Sequence, residues 1–370
     1  MILAFYIYIF LLAVMLVFSI PMVKPSNHHN NSTIVINSIS YYTPILLLSI
    51  ILGLRYGVGV DYFSYEQMYE SQKWSSIYDG NIEYIFSTIY FICFHLGTPY
   101  HVVQILLNLI FFFFIYKTFE KRRLIFPWVI IFIFFTGFLF QYLNIQRQAI
   151  AFSILLYSLQ FIEKRHLLNF LLCIVFASGF HYSALLFLPI YYIWPSINIF
   201  KSLRLQLSLW LISFVFSEFL TELIANISLS LLENTAYGKY GASVLTWEME
   251  RGSGTGIIVK GISDLIVIMY SKKLFTFFEK DNFFKISYFV FFVGFILANI
   301  FQYNMLLSRI SFLFISFRII TLSFLFCYLA RKRNLMNSCI AIFLLALYSA
   351  YFFGMIYIGN NDCSPFEFIS

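Results

Sequence analysis

Long apolar runs recur along this chain and limit it to folds that a membrane can hold. Of its 370 residues, 61% are hydrophobic and only 11% are charged, whereas soluble domains carry about one-quarter charged residues. Inside a bilayer the backbone must satisfy its own hydrogen bonds, so only helices and closed barrels span it. A barrel would alternate apolar and polar residues over short segments. The continuous runs therefore predict an all-α, polytopic integral membrane protein.

A spanning helix needs about 20 mostly apolar residues. The chain has about 12 such stretches: 2–20, 35–54, 101–118, 124–143, 147–162, 167–180, 183–199, 204–224, 257–271, 284–302, 308–329 and 335–358. A further stretch, 82–97, either spans the membrane or lies along its outer surface. No internal repeat or soluble domain is visible. We interpret 1–370 as a single membrane domain with external loops at 55–100, which includes juxtamembrane 82–97, and at 225–256.

Basic residues predict the orientation of these spans. Lys and Arg cluster at 117–123, 164–165, 201–204, 272–285 and 331–333. These clusters fall on one side of an alternating topology, which the positive-inside rule makes cytoplasmic. The net charge of +7 then reports orientation and does not indicate nucleic acid. The external side receives the polar turns near residues 61, 147 and 181.

Several chemistries are missing from the sequence. The five cysteines are scattered without a CxxC pair, and no HExxH, paired-aspartate or GxSxG motif occurs. The "GSGTG" of the 225–256 loop has no Lys-Ser/Thr in the register of a phosphate-binding loop. A metalloprotease or an ATP-driven pump is therefore not expected, and neither is a metal or a cofactor.

The stretch "LGLRYGVGVDYFSYEQMYES", residues 52–71, concentrates polar chemistry directly outside an apolar segment. Gly57 and Gly59 predict a tight turn that holds Arg55 near Asp61. Asp61 is a candidate general base. The alternative is a membrane-surface turn with a snorkelling arginine.

Two further polar groups are expected on the same side. Gln141, Asn144 and Gln148 follow helical spacing beside Arg147 and form either part of a site or a contact between helices. His181 lies in the turn of a tight helical hairpin, "ASGFHYSALLFLPI".

Charged residues also occur within apolar segments. Arg309 and Arg318 are expected to share one helix, with Arg318 about 13 Å deeper, where it needs a partner or a wet cavity. Lys260 and Asp264 are four residues apart and are expected to neutralise each other. Cationic groups on an outer face suit an anionic lipid headgroup, because guanidinium groups bind phosphates bidentately.

The motifs "RYGVGVDYFSY", "QRQAIA…FIEKRHLLNF" and "ASGFHYSALLFLP" resemble the EpsG-like group of Wzy-type polysaccharide polymerases. The resemblance covers roughly residues 40–195. That group commonly has Pro-Tyr near the end of the chain, where this sequence has Pro365-Phe366. The departure argues against a role for the 359–370 segment.

The resemblance implies transfer of a glycan from undecaprenyl diphosphate to the non-reducing end of another lipid-linked repeat unit. The reaction would occur on the outer face of the bacterial cytoplasmic membrane, without nucleotide sugar or metal. The early external aspartate and surface helices also resemble GT-C glycosyltransferases. The implied partners are undecaprenyl-diphosphate-linked repeat units, membrane lipid, a chain-length regulator and a flippase.

These substrates assign expected roles to the candidate residues. Asp61 is the expected base, and His181 is a second base or a phosphate ligand. Arg147 is expected to hold the diphosphate. The remaining candidate contacts to diphosphate or sugar are Arg55, Gln148, Arg251, Arg309, Arg318, Tyr62 and Tyr65.

Three other functions remain open. A flippase or exporter of lipid-linked sugars would place its charges along a central path and show two similar halves, and no halves are visible. A glycan ligase shares the donor, so sequence separates it poorly from a polymerase. An acyltransferase would need a cytoplasmic donor site, yet the cytoplasmic loops are short and basic.

Overall fold

Helices form nearly all of the regular structure, because a bilayer offers the backbone no water to bond. The computed structural model describes residues 1–23, 31–74, 82–193, 202–232, 254–302 and 304–369. Its elements up to residue 193 are α1 (Ile2–Val23), α2 (Asn31–Gly53), β1 (Arg55–Tyr56), α3 (Tyr62–Glu70), α4 (Tyr84–His95), α5 (Tyr100–Phe119), α6 (Phe126–Phe135), α7 (Phe138–Asn144), α8 (Gln146–Glu163), α9 (Leu167–Ser178), a 3-10 helix (Tyr182–Phe187) and α10 (Ile190–Ile193). The later elements are α11 (Leu203–Val215), α12 (Ser217–Leu232), α13 (Thr255–Met269), α14 (Ser271–Phe277), α15 (Asn282–Ile300), α16 (Met305–Ile315), α17 (Arg318–Arg331), α18 (Leu335–Ile358), a 3-10 helix (Asn360–Asp362) and β2 (Glu367–Phe368).

Several of these helices can cross a membrane. Within the described ranges, five are long and apolar enough, or seven if two bent helix pairs each count as one span. The five are Ile2–Ser19, Tyr100–Phe119, Asn282–Ile300, Leu307–Arg331 and Leu335–Ile358. The all-α, multi-pass class is therefore confirmed. The count of about 12 spans and the GT-C-like arrangement stay predictions.

Several predicted spans are broken or short. Span 124–143 is the pair α6–α7, bent by 64° at a break where Gly137 takes a φ of +75°. Span 204–224 is the pair α11–α12, bent by 75°. Span 183–199 contains the 3-10 helix and short α10, with residues 194–199 outside the described ranges. The ambiguous 82–97 stretch forms the 12-residue α4, which is too short to span about 30 Å of hydrocarbon at 1.5 Å per residue.

One expectation about a shared helix is wrong. Gln141, Asn144 and Gln148 do not follow one helix, because α7 ends at Asn144 and α8 begins at Gln146. Between them Ile145 has φ −88° and ψ 49°, outside the helical region. Arg309 and Arg318 lie within one apolar span, Leu307–Arg331, as expected, although α16 ends at Ile315 and α17 begins at Arg318.

A close helix crossing lies at Gly294, in the middle of α15. A Cβ built there would lie 2.2 Å from the backbone nitrogen of Ile315, near the end of α16. Only glycine lets two backbones approach so closely, as is common between membrane helices. Phe291 and Phe295 on the same helix are buried and stack with ring centroids 6.1 Å apart.

A small antiparallel sheet joins the segment after α2 to residues 359–369. Arg55 pairs with Phe368, and Tyr56 pairs with Glu367. The backbone N–H of Ile369 donates to the carbonyl of Leu54 at 3.0 Å. The 359–369 segment therefore lies against the turn that carries Asp61. The Pro365-Phe366 departure had argued against a role for this segment.

Gly294→Ala is expected to lower the free energy of unfolding by about 1–3 kcal/mol, because the added methyl group forces α15 away from α16. Thermal unfolding of the purified protein in detergent measures the change. Gly261→Ala is the matched control, since a Cβ added at this helical glycine would meet no atom of another element within 4 Å. Equal melting temperatures for the two variants would contradict the crossing.

Candidate functional site

A buried carboxylate connects three elements at one end of the bundle. Glu83 lies directly before α4, and its side chain is only 4% exposed. Its Oε2 accepts a hydrogen bond from Nη1 of Arg147 at 2.6 Å. Its Oε1 lies 2.8 Å from Nδ1 of His181. The arginine and histidine expected from the sequence therefore belong to one cluster, organised by a residue that sequence reasoning missed.

The backbone holds this cluster in place. The carbonyl of Gly179, at the end of α9, accepts hydrogen bonds from the N–H groups of Ile85 and Phe86 at 2.9 and 3.0 Å. These two donors belong to the first turn of α4, where no partner exists within the helix. A Cβ on Gly179 would lie 2.4 Å from Ile85 Cγ1. Glycine is therefore required where α4 meets the hairpin that carries His181.

Arg147 lies in the first turn of α8 with its side chain 26% exposed. Its guanidinium carbon lies 5.4 Å from the ring centroid of Phe86 and 5.9 Å from that of Tyr65. Aromatic faces attract a cation at such distances. Because a guanidinium has five N–H donors, the bond to Glu83 leaves donors for an anion.

Asp61 lies at the start of α3, half-buried, and its side chain makes no capping hydrogen bond. Burial raises the pKa of this carboxyl group, while the positive charges of Arg309 and Arg147 oppose the rise. Asp61 is thus close enough to both guanidinium groups to couple with them electrostatically. Glu83 behaves differently: burial disfavours its charge, but the His181 hydrogen bond and the Arg147 charge hold its pKa below the ordinary value.

Arg309 and Gln148 join α16 to α8. The side-chain amide of buried Gln148 donates to the backbone carbonyl of Arg309. The Arg309 side chain is exposed and lies near Asp61. Gln148 therefore makes the contact between helices that was one of its two sequence interpretations, and Arg309 remains accessible to a ligand.

Arg55 and Arg318 both have protein partners. Arg55 is 1% exposed, and its three guanidinium nitrogens donate to the carbonyls of Val58 and Leu52 and to Oε1 of Gln104. Arg55 thereby shapes the turn before Asp61. Its direct contact with diphosphate stays a prediction.

Arg318 forms a bidentate pair with Asp264, at 2.6 and 2.7 Å. Arg318 on α17 therefore supplies the carboxylate's hydrogen-bonding partner, while Lys260 remains close enough to interact with the charge of Asp264. Lys260 also has its Nζ 5.7 Å from the ring centroid of Tyr351. Asp264 is thus the partner that Arg318 requires at this depth.

The tyrosines differ in exposure. Tyr62 and Tyr65 are 1% and 8% exposed, so both rings are largely covered by protein. Burial and the neighbouring Glu66 raise the pKa of Tyr62 to about 12. Tyr56, next to them, is 44% exposed. Stacking by Tyr62 and Tyr65 stays a prediction.

Two candidate features have other outcomes. Arg251 and most of the 225–256 loop lie outside the described residues. Within the part of the chain that the structure describes, no group of three His, Cys, Asp or Glu side chains could hold a metal ion.

The sequence did not indicate Glu83 as a site residue, because it borders an ambiguous apolar stretch. An acidic residue at that border, on the side shared with Arg147 and His181, was the available signal.

The arrangement defines a class of protein: a multi-pass, all-α membrane protein with ionisable groups gathered at one end of its helices. The family model for the EpsG family matches residues 38–368, and the chain belongs to this family. Membership indicates a membrane protein of the polysaccharide-polymerase type. No curated protein and no solved structure matches the chain.

Glu83→Gln is expected to lower the free energy of unfolding by about 3 kcal/mol, because it leaves Arg147 without its carboxylate. Adding Arg147→Gln should recover part of this loss, since the double variant has no unpaired charge. Thermal unfolding in detergent gives the comparison.

A surface pair supplies the control for this cycle. Glu120→Gln breaks the partly exposed Lys117–Glu120 pair, which is 2.8 Å long, and should cost about 0.5 kcal/mol or less. If the losses in free energy of unfolding from Glu83→Gln and Arg147→Gln simply add in the double variant, the two groups are not coupled.

Proposed function

We propose that this protein is a polysaccharide polymerase. It transfers a glycan from undecaprenyl diphosphate to the non-reducing end of another lipid-linked repeat unit, on the outer face of the bacterial cytoplasmic membrane. The observation that carries the proposal is the cluster in which Glu83 binds both Arg147 and His181, with Asp61 and Arg309 near it. Membership of the EpsG family supports the same activity.

The leaving group needs positive charge. As the bond between the sugar C1 and the phosphate oxygen breaks, its electron pair passes to undecaprenyl diphosphate. Fixed cationic donors stabilise that growing charge. Arg147 is held by Glu83 and by two aromatic rings, so it is the proposed diphosphate ligand. Exposed Arg309 assists it, and His181 is a further phosphate ligand or second base.

The acceptor needs a base. Its hydroxyl oxygen forms the new bond to C1, and its proton passes to Asp61. A carboxylate whose pKa is raised by burial is a better base than an ordinary aspartate, because its pKa lies closer to the working pH. Glu83 is not the proposed base, since both of its oxygens are occupied by Arg147 and His181.

The position of the cluster along α8 supports an external site. Arg147 and Glu163 lie at opposite ends of this helix, about 24 Å apart along the axis. Glu163 pairs with Arg122 at 2.5 Å, in the basic region that the positive-inside rule makes cytoplasmic. The cluster then faces the other side of the membrane.

The direct test is chain growth by the purified protein in the presence of lipid-linked repeat units and without nucleotide sugar. Asp61→Asn and Arg147→Gln are each expected to lower the rate by about 100-fold or more. Glu70→Gln is the control, because this exposed carboxylate at the end of α3 has no place in the mechanism. Full chain growth by both Asp61 and Arg147 variants, at normal membrane levels, would refute the assignment.

Deletion in the cell separates the other candidate functions. Loss of a polymerase leaves surface glycan with a single repeat unit. Loss of a flippase traps repeat units inside, and loss of a ligase leaves long chains on the carrier. Either of the last two outcomes would overturn the proposal.

Arg309→Gln is expected to move the acid limb of the pH–rate profile to higher pH. The positive charge of Arg309 lowers the pKa of Asp61, so its removal raises that pKa, and the carboxylate form is lost at a higher pH. The measurement is kcat/KM for chain growth across the acid range. Arg333→Gln, an exposed change at the basic end, should leave the limb unchanged. An unshifted limb in Arg309→Gln would show that Asp61 is not the titrating base.

A further inference from the structure

We propose that the 359–369 segment is a positioning element for glycosyl transfer, and that it sets the separation of Asp61 and Arg147 through Asn144. The inference deepens the proposed function and rests on it. No sequence motif indicated this role, and the Pro365-Phe366 departure argued against it.

The segment is fixed to the turn that precedes Asp61. The N–H of Gly59 donates to the carbonyl of Asp362 at 3.0 Å, and the carbonyl of Gly59 accepts from the N–H of Tyr62 at 3.0 Å. Asp61 lies in the chain between Gly59 and Tyr62, the residues that make these two bonds. Together with the pairing of β1 and β2, they determine the direction in which α3 and Asp61 leave the turn.

The same segment reaches the end of α7, directly before α8. The side-chain amide of buried Asn144 donates to the carbonyls of Asn361 and Phe140, at 3.3 and 3.1 Å. Asn144 lies three residues before Arg147. A Cβ on Gly59 would lie 3.0 Å from Oδ1 of Asn144. The Asp61 turn and the end of α7, which leads into the Arg147 helix, therefore meet the 359–369 segment at one contact.

The segment is itself anchored in the bundle. The carbonyl of Cys363 accepts a hydrogen bond from the hydroxyl of buried Tyr8 at 2.9 Å. Phe366 is 1% exposed, with its ring centroid 5.6 Å from that of Tyr8. The segment is therefore held by α1 independently of the site, as a positioning element must be.

The backbone at Asn361 provides a selective test. Asn361 has a φ of +58°, a conformation that asparagine and glycine tolerate and that β-branched residues avoid. Asn361→Val should therefore displace the carbonyls of Asn361 and Asp362, whereas Asn361→Gly should keep them. The two variants differ in backbone conformation and share the loss of the amide side chain.

The experiment compares chain growth by these two full-length variants. Asn361→Val is expected to lower kcat by roughly 10- to 100-fold, as misplacement of a catalytic group does, with the KM for donor little changed. Asn361→Gly should stay near wild type. In an Asp61→Asn background, Asn361→Val should add no further loss, because the displaced group is already absent.

Two companion variants approach the contact from its other sides. Gly59→Ala is expected to give the same loss of kcat, since it combines strain at a φ of +103° with a clash against Asn144. Asn144→Ala should give a smaller loss. These variants decide the question if Asn361→Val does not accumulate in the membrane.

The outcomes separate the two proposals. Equal kcat for Asn361→Val and Asn361→Gly would overturn the positioning role while leaving the polymerase intact. An additive loss in the Asp61→Asn background would also overturn it, because the segment would then act on something else. If Asp61→Asn alone is fully active, the proposed base itself fails.

Discussion

Glu83 has almost no exposure to solvent, and a buried carboxylate is costly unless it is paired and hydrogen-bonded. Arg147 and His181 supply both partners, one to each oxygen. Arg147 in turn brings a guanidinium to the start of α8 that would be costly there alone. This mutual requirement fixes the relative positions of α4, α8 and the hairpin after α9. The rest of the candidate site is arranged around these three elements.

The two carboxyl groups of the site have pKa values shifted in opposite directions, because their environments differ. Burial raises the pKa of Asp61, with positive charges only opposing the rise. At Glu83 the hydrogen bond from His181 and the charge of Arg147 outweigh burial, and its pKa falls. Pairs of titratable groups whose environments shift their pKa values in opposite directions commonly serve different roles. Here the partners of Glu83 stabilise its charged form, whereas burial makes Asp61 the easier of the two to protonate.

Sequence predicted the helical membrane class and the placement of Arg147 and His181 on one side of the membrane, because hydropathy and positive-inside charge are properties of the local chain. Glu83 could not be predicted in the same way, since its importance comes from partners far away in sequence. The pairing of Arg318 with Asp264 was missed for the same reason: helical spacing identifies neighbours within a helix and not across one. Helix breaks such as Ile145 carry no proline or glycine signal.

The pairing of Arg55 with Phe368 has a consequence for biogenesis. Domains assemble from the N-terminal side during synthesis, so β1 leaves the ribosome long before its partner. Until α18 has been inserted, the strand that leads into the Asp61 turn has an open edge. The turn that carries Asp61 therefore reaches its final conformation late, after the intervening helices have been inserted. A nascent chain would therefore not bind substrate productively before its membrane insertion is complete.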